Sequence, residues 1–233
     1  HPQQRALWWC DIPGKRVNRF DPTTLEHRQW DVHSEPGCAA PLADGDLLLA
    51  QRDGLHRFHP ATGERIRLAD PPYDPTCERF NDGRADARGR LWVSTLHEPR
   101  QPLAALYCWA EGHLRRVAGG ITVGNGLAFS PDHRTLYWSD TQAHAIQAMD
   151  FDLDTGAVAH PRLFAEFPRR TPDQPLDTYA GRPDGAAVDV EGAYWVAMFE
   201  GSQLLRLSPA GEVLDRVALP VRCQRDARVP SAQ

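Results

Sequence analysis

The stretch "NDGRADARGRLWVS", residues 81–94, sets the reading of the chain, because it returns twice in looser form. It recurs as "NGLAFSPDHRTLYWSD" from Asn125 and as "DGAAVDVEGAYWVA" from Asp184. Each version opens on Asn or Asp close to Gly, crosses a polar turn and ends on an aromatic, strand-forming run. A phrase that repeats every few tens of residues marks stacked supersecondary units. Aligning the apolar runs makes Leu7, Leu47, Leu91, Leu136 and Tyr194 equivalent, at spacings of 40, 44, 45 and 58 residues. Five units are counted, and the Pro-rich "RRTPDQPLDTYAGR" is the expected site of an insertion in the last interval.

Within each unit a short apolar run is followed by a turn, then by an alternating strand such as Ala145 to Phe151, then by a turn built on Asp-Pro, Thr-Gly or Pro-Ala-Gly. Helical periodicity is nowhere sustained. The expectation is an all-β propeller with four-stranded blades, in which radial repetition leaves only short strand edges. A two-sheet sandwich would account for the strands but not for the period.

Composition narrows the function classes. The 233 residues suffice for a sizeable core, and 18 Gly with 20 Pro favour many turns over long helices. A net charge of -5 with no basic run lacks the electrostatic footprint of a nucleic-acid binder. No apolar run approaches the ~20 residues of a membrane-spanning helix. Five cysteines, at positions 10, 38, 77, 108 and 223, form no CxxC pair, so they read as reduced thiols in a cytoplasmic protein. The chain begins at His1, its only methionines are Met149 and Met198, and "HPQQRALWWCD" matches "SPDHRTLYWSD". It is therefore expected to open inside the repeated phrase and to be part of a longer chain, with a propeller over residues 1–223 and an atypical polar tail over 224–233.

Equivalent positions of successive blades surround a common axis, so Asn81, Asn125 and Asp184 are expected to converge at one mouth of a channel, with Gly37 adding no side chain there. A carboxylate with amide oxygens is a donor set for one hard divalent ion such as Ca²⁺, Mg²⁺ or Mn²⁺. The competing reading is that Asn-Gly and Asp-Gly are turn dipeptides, since these residues tolerate positive φ. Both readings stay open at this level. "DFDLDTG" from Asp150 resembles an EF-hand start, but Thr155 and Pro161 stand where Gly and Glu are needed, so it reads as a hairpin turn. There is no Gly-x-Ser-x-Gly elbow or P-loop, and His97 of "HEPRQ" reads as a loop residue, because the second His of a zincin helix is missing.

The phrases "WWCDIPGKRVNRFDP", "RFNDGRADARGRLWVSTLHE", "VGNGLAFSPDHRTLYWSDT" and "GRPDGAAVDVEGAYWVAMFEGSQLLRLSPAGE" together resemble the gluconolactonase and regucalcin (senescence marker protein) family of six-bladed propellers. The resemblance runs from His1 to about Cys223. It implies a divalent-metal-dependent hydrolase that opens a sugar lactone to the aldonic acid, with Ca, Zn, Mg or Mn as the ion. It assigns Asn125 and Asp184 as metal ligands, Asp184 also as general base, and Arg79, Asn81 and Glu98 as contacts to substrate hydroxyls. The family's Glu ligand belongs to a phrase that would precede His1, and its closing strand has no counterpart in "QRDARVPSAQ", so truncation is expected to impair activity. Two alternatives remain: a non-catalytic calcium-binding or divalent-binding propeller of regucalcin type, and a hydrolase acting on an organophosphate or an unrelated lactone.

Overall fold

The computed structural model describes residues 6–220; the "HPQQR" start, Cys223 and the polar tail lie outside the described residues. Among the described residues, nineteen strands form five antiparallel sheets, each a meander of consecutive strands. The first sheet holds β1 (Leu7–Asp11), β2 (Arg16–Asp21) and β3 (Glu26–Asp31). The second holds β4 (Pro36–Pro41), β5 (Leu47–Gln51), β6 (Gly54–His59) and β7 (Glu64–Ala69). The third holds β8 (Glu78–Ala85), β9 (Leu91–His97), β10 (Ala104–Ala110) and β11 (His113–Ile121). The fourth holds β12 (Gly124–Phe129), β13 (Thr135–Asp140), β14 (Ala145–Asp152) and β15 (Ala157–Glu166). The fifth holds β16 (Arg182–Val188), β17 (Tyr194–Phe199), β18 (Gln203–Leu207) and β19 (Val213–Ala218). These sheets are the blades of a β-propeller fold. The chain divides into two compact units, one up to Leu127 and one from Ala128, with the division inside β12.

The five aligned residues occupy one register. Leu7 faces Phe20, Leu47 faces Phe58, Leu91 faces Trp109, Leu136 faces Met149 and Tyr194 faces Leu207. Leu47, Leu91, Leu136 and Tyr194 are at most 1% exposed, whereas Leu7 is 61% exposed. The cause is strand count: four blades place that strand second, flanked on both sides, while β1 is an edge strand of a sheet with three described strands. The expectation of four strands per blade therefore holds for four blades.

Turn chemistry follows the residue types. The Asp152 carboxylate accepts from the backbone N–H of Asp154 and Thr155, closing the hairpin between β14 and β15, so "DFDLDTG" is a turn. Asp21 does the same for Thr23 and Thr24. The insertion lies between β15 and β16, and its one regular piece is a 3-10 turn at Leu176–Thr178. In the first unit, Leu55, Phe80, Leu91 and Val93 pack one core cluster, and Val17, Val32, Leu49 and Phe58 another. In the second unit Tyr137, Ile146, Tyr194 and Leu205 share a cluster.

Candidate functional site

The Asn-Gly and Asp-Gly phrases are not turns: Asn81, Asn125 and Asp184 all lie within the first strand of their blade. The first strands β4, β8 and β16 carry a bulge at the repeat position. β8 pairs Phe80 with Thr95 and then Asp82 with Ser94, leaving Asn81 as the additional residue. β4 pairs Pro36 with Gln51 and then Cys38 with Ala50, leaving Gly37. β16 slips between Pro183–Met198 and Ala186–Val196, the interval that holds Asp184 and Gly185. A bulge takes its residue out of the ladder and re-aims the side chain. In β8 and β16 the repeated phrase is thus a bulge at its polar residue, and in β4 the bulge falls on Gly37.

Gly37 also has a role that sequence reasoning missed. A Cβ there would lie 2.3 Å from the Phe80 carbonyl oxygen and 2.7 Å from the Asn81 nitrogen, so only a missing side chain lets β4 lie against β8. Gly124 makes a similar approach to Ser94, 2.6 Å from its Cβ.

In the first unit, three of the expected residues form one hydrogen-bonded chain. Arg79 Nη1 donates to Asn81 Oδ1 at 2.8 Å, and Asn81 Nδ2 donates to Asn125 Oδ1 at 3.0 Å and to Gly124 O at 2.9 Å. All three contacts agree on one orientation of the Asn81 amide. Its oxygen faces a guanidinium, which sets Asn81 apart from a cation's donors and makes it a bridge. Asn125 is 7% exposed, and its amide oxygen is held in place by that bridge. Next in the strand, the Asp82 carboxylate accepts from Leu127 N at 2.9 Å; burial pushes its pKa up against that bond.

Arg79 Nη1 also donates to Phe80 O at 3.0 Å, and among the described residues Arg79 forms no ion pair. Burial lowers its pKa from the ordinary guanidinium value, the Arg52 charge acts in the same direction, and Glu98 and Glu35 oppose. Those two carboxylates belong to Arg52, whose Nε donates to Glu35 Oε2 at 3.0 Å and whose Nη2 donates to Glu98 Oε1 at 2.5 Å. Glu98 is therefore an exposed carboxylate already anchored from the neighbouring blade. Tyr73 braces the same strand by accepting from Phe80 N at 3.0 Å. Neither Arg52 nor Tyr73 carries a motif, and the Arg52–Glu98 pair spans 46 residues, so no local signal could have found it. His97 corrects the loop expectation: it is the last residue of β9, 4% exposed, and its backbone N–H is bonded to Thr122 O, so the strand runs one residue into the "HEP" turn signal.

In the second unit Asp184 is half-buried within β16. Its surroundings are rigid. Thr141 Oγ1 donates to Pro183 O at 2.7 Å, and Arg182 pairs with Glu200 at 3.3 Å. The insertion ends by burying Tyr179 beside His144, with ring centroids 6.1 Å apart. A Cβ on Gly201 would lie 2.1 Å from Ala180 O, so the segment entering β16 is clamped on the turn after β17.

Among the described residues no group of three or more His, Cys, Asp or Glu side chains is placed to hold a metal ion. Taken unit by unit, Asn125 and Asp184 offer hard oxygen donors, the ligand type that suits Ca²⁺, Mg²⁺ or Mn²⁺. No helix of the described residues is long and apolar enough to cross a membrane.

Comparison with known proteins places these features. The family model described as "SMP-30/Gluconolactonase/LRE-like region" matches residues 1–225. The chain belongs to this family. It is 39% identical over 224 residues to a 6-deoxy-6-sulfogluconolactonase of Pseudomonas putida, covering 94% of this chain and 73% of that protein. It is 30% identical to the regucalcin of Pongo abelii, covering 93% and 72%. Among solved structures, the calcium-binding protein regucalcin of Agrobacterium tumefaciens superposes with a TM-score of 0.86 at 24% identity, covering 95% of this family member and 73% of that chain. A gluconolactonase of Xanthomonas campestris superposes with a TM-score of 0.76 at 25% identity, covering 95% and 74%.

Proposed function

We propose that this chain is a sugar lactonase that opens an aldonolactone to the aldonic acid. The observation that carries the reading is the Arg79–Asn81–Asn125 chain, a rigid row of amide and guanidinium groups aimed by a strand bulge. Such a row suits a polyhydroxylated substrate, because the Asn81 amide, with both N–H groups spent inside the protein, holds the Arg79 guanidinium and the Asn125 amide in one orientation before substrate arrives. The identity to a sulfogluconolactonase supports the substrate class.

In this reading Arg79 and Asn81 orient sugar hydroxyls, and Glu98, steadied by Arg52, accepts from another. Asp184 accepts the proton of the attacking water, within hydrogen-bond reach of it in the substrate complex. Asn125 and Asp184 are each proposed as oxygen ligands of a divalent cation. When bound, such an ion supplies Lewis-acid polarisation of the lactone carbonyl and a lowered pKa of water. The buried Asn125 amide, pinned by Asn81, keeps its oxygen oriented without the ion.

The test is lactone hydrolysis followed by proton release, with glucono-1,5-lactone and 6-deoxy-6-sulfogluconolactone as substrates and spontaneous opening subtracted. Asp184→Ala is expected to abolish turnover while the circular dichroism spectrum stays β-rich; retained turnover removes Asp184 from the mechanism. A second reading, a divalent-binding protein without turnover, follows from the likeness to regucalcins, one of which is described as a calcium-binding protein. Calorimetry separates the two, since saturable Ca²⁺ binding with no hydrolysis of either lactone would select the second.

A further inference from the structure

The three bulged first strands differ in the residue just before the bulge. β4 has Pro36 there and β16 has Pro183, and proline carries no N–H to satisfy. β8 has Phe80 at that place, fully buried and paired with Thr95. A buried backbone N–H is costly to leave without an acceptor. The acceptor here is the Tyr73 hydroxyl, at 3.0 Å, and Tyr73 belongs to the link between β7 and β8 rather than to a strand. One side chain thus settles in β8 what proline settles in β4 and β16.

The same hydroxyl reaches the neighbouring blade. Its proton is available to the carbonyl of Gln51 at 3.3 Å or of Arg52 at 3.4 Å, where β5 turns into β6. Burial pushes the Tyr73 pKa up, so that proton stays in place. The turn is itself fixed, because Gln51 is fully buried and its Nε2 donates to Val32 O and Ser34 O, both at 2.9 Å. Arg52 adds a second tie to the link by donating from Nη1 to Pro75 O at 2.9 Å. The Tyr73 ring packs edge-on against Phe80, with centroids 5.1 Å apart.

Two parts of the candidate site meet at this oxygen. On one side Phe80 stands between Arg79 and Asn81, and its carbonyl accepts from Arg79 Nη1 at 3.0 Å. On the other side Arg52 holds Glu98. The Tyr73 hydroxyl therefore spans the residue that carries the Arg79–Asn81 pair and the residue that anchors the carboxylate.

We propose that Tyr73 is a positioning residue of the candidate site: its hydroxyl sets the separation of Glu98 from the Arg79–Asn81 pair and so governs how firmly sugar hydroxyls are held. The proposal rests on the lactonase reading and assigns Tyr73 no contact with substrate.

The test compares Tyr73→Phe with the parent in steady-state hydrolysis of glucono-1,5-lactone, with circular dichroism and urea unfolding as controls of folding. The variant keeps the ring and its contact with Phe80. KM is expected to rise on the order of tenfold with kcat within about twofold, because the lost interaction positions groups that bind substrate. Tyr73→4-aminophenylalanine restores a group that both donates and accepts, and is expected to return KM to within about threefold of the parent. A brace of the strand alone would lower the urea midpoint of Tyr73→Phe and leave KM unchanged, which would overturn the proposal. In a double-mutant cycle, Glu98→Gln is expected to cost clearly less in kcat/KM on the Tyr73→Phe background than on the parent; strictly multiplicative losses would also overturn it. Turnover of neither lactone by the parent would refute the lactonase reading, and the positioning role is then read from the Asn81 side-chain amide resonances of the isotopically labelled chain. These are expected to shift in Tyr73→Phe and to return with Tyr73→4-aminophenylalanine; resonances that stay in place would show that Tyr73 does not position Asn81.

Discussion

Replacing Gly37 by alanine tests the idea that a bare backbone position in one blade places the polar residue of the next. The new Cβ would lie 2.3 Å from Phe80 O and 2.4 Å from Phe80 C, about 1 Å inside ordinary contact. The clashing atoms are backbone, and they cannot swing aside. Phe80 is fully buried and its N–H is tied to the Tyr73 hydroxyl. Overpacking of this kind costs about 3 kcal/mol, the upper end of the usual range. Lost chain entropy in the unfolded state returns up to about 1 kcal/mol, so the net expectation is a destabilisation of about 2 kcal/mol. Gly185→Ala is the matched control: it sits in the equivalent bulge interval of the fifth blade, with no atom within 4 Å of the added Cβ. Its stability is expected to stay within about 0.5 kcal/mol of the parent. Urea unfolding followed by tryptophan fluorescence reads both variants, and lactone hydrolysis reads the displacement of Asn81, whose nitrogen lies 2.7 Å from the same Cβ. If Gly37→Ala and Gly185→Ala unfold at the same urea concentration as the parent, the close-approach argument is wrong.

Asn81→Asp preserves shape and the contact with Arg79, but sets a carboxylate oxygen against Gly124 O and Asn125 Oδ1 where an N–H₂ had donated. A loss of roughly 10- to 100-fold in kcat/KM for the lactone is expected, with the circular dichroism spectrum unchanged; full activity would remove the bridge from the site. The Asp189 carboxylate accepts from the Trp195 indole, the Ala193 backbone and Arg206, which pull its pKa down from 3.8 to about 2. Because the folded-state value is the lower one, its contribution to stability is complete above the unfolded value near pH 4 and is lost as pH falls through 2. The stability gap between the parent and Asp189→Asn is therefore expected to narrow from pH 5 to pH 2; a gap independent of pH would contradict the assignment.

The repeat, the strand order and the hairpin turns were legible in the residues themselves. Their signals are local: an apolar run every 40 to 58 residues, alternation within each strand, and Asp or Gly where the chain reverses. The equivalence of Leu47, Leu91, Leu136 and Tyr194 passed directly into a shared register because the same alternation that identifies a strand also decides which face is buried. Other features depended on pairing between distant segments. Whether Asn81-Asp82-Gly83 is a turn or a bulge turns on how many residues of β9 oppose it, and no residue type in "NDG" records that number. The exposure of Leu7, the close approach at Gly37 and the hold of Arg52 on Glu98 likewise arise between strands or between blades. By itself, then, the sequence determined which residues form blades and which polar types recur among them. Only the tertiary structure decided which of those polar groups face one another, because hydrogen bonds and ion pairs across blades depend on register and spacing that local periodicity does not encode.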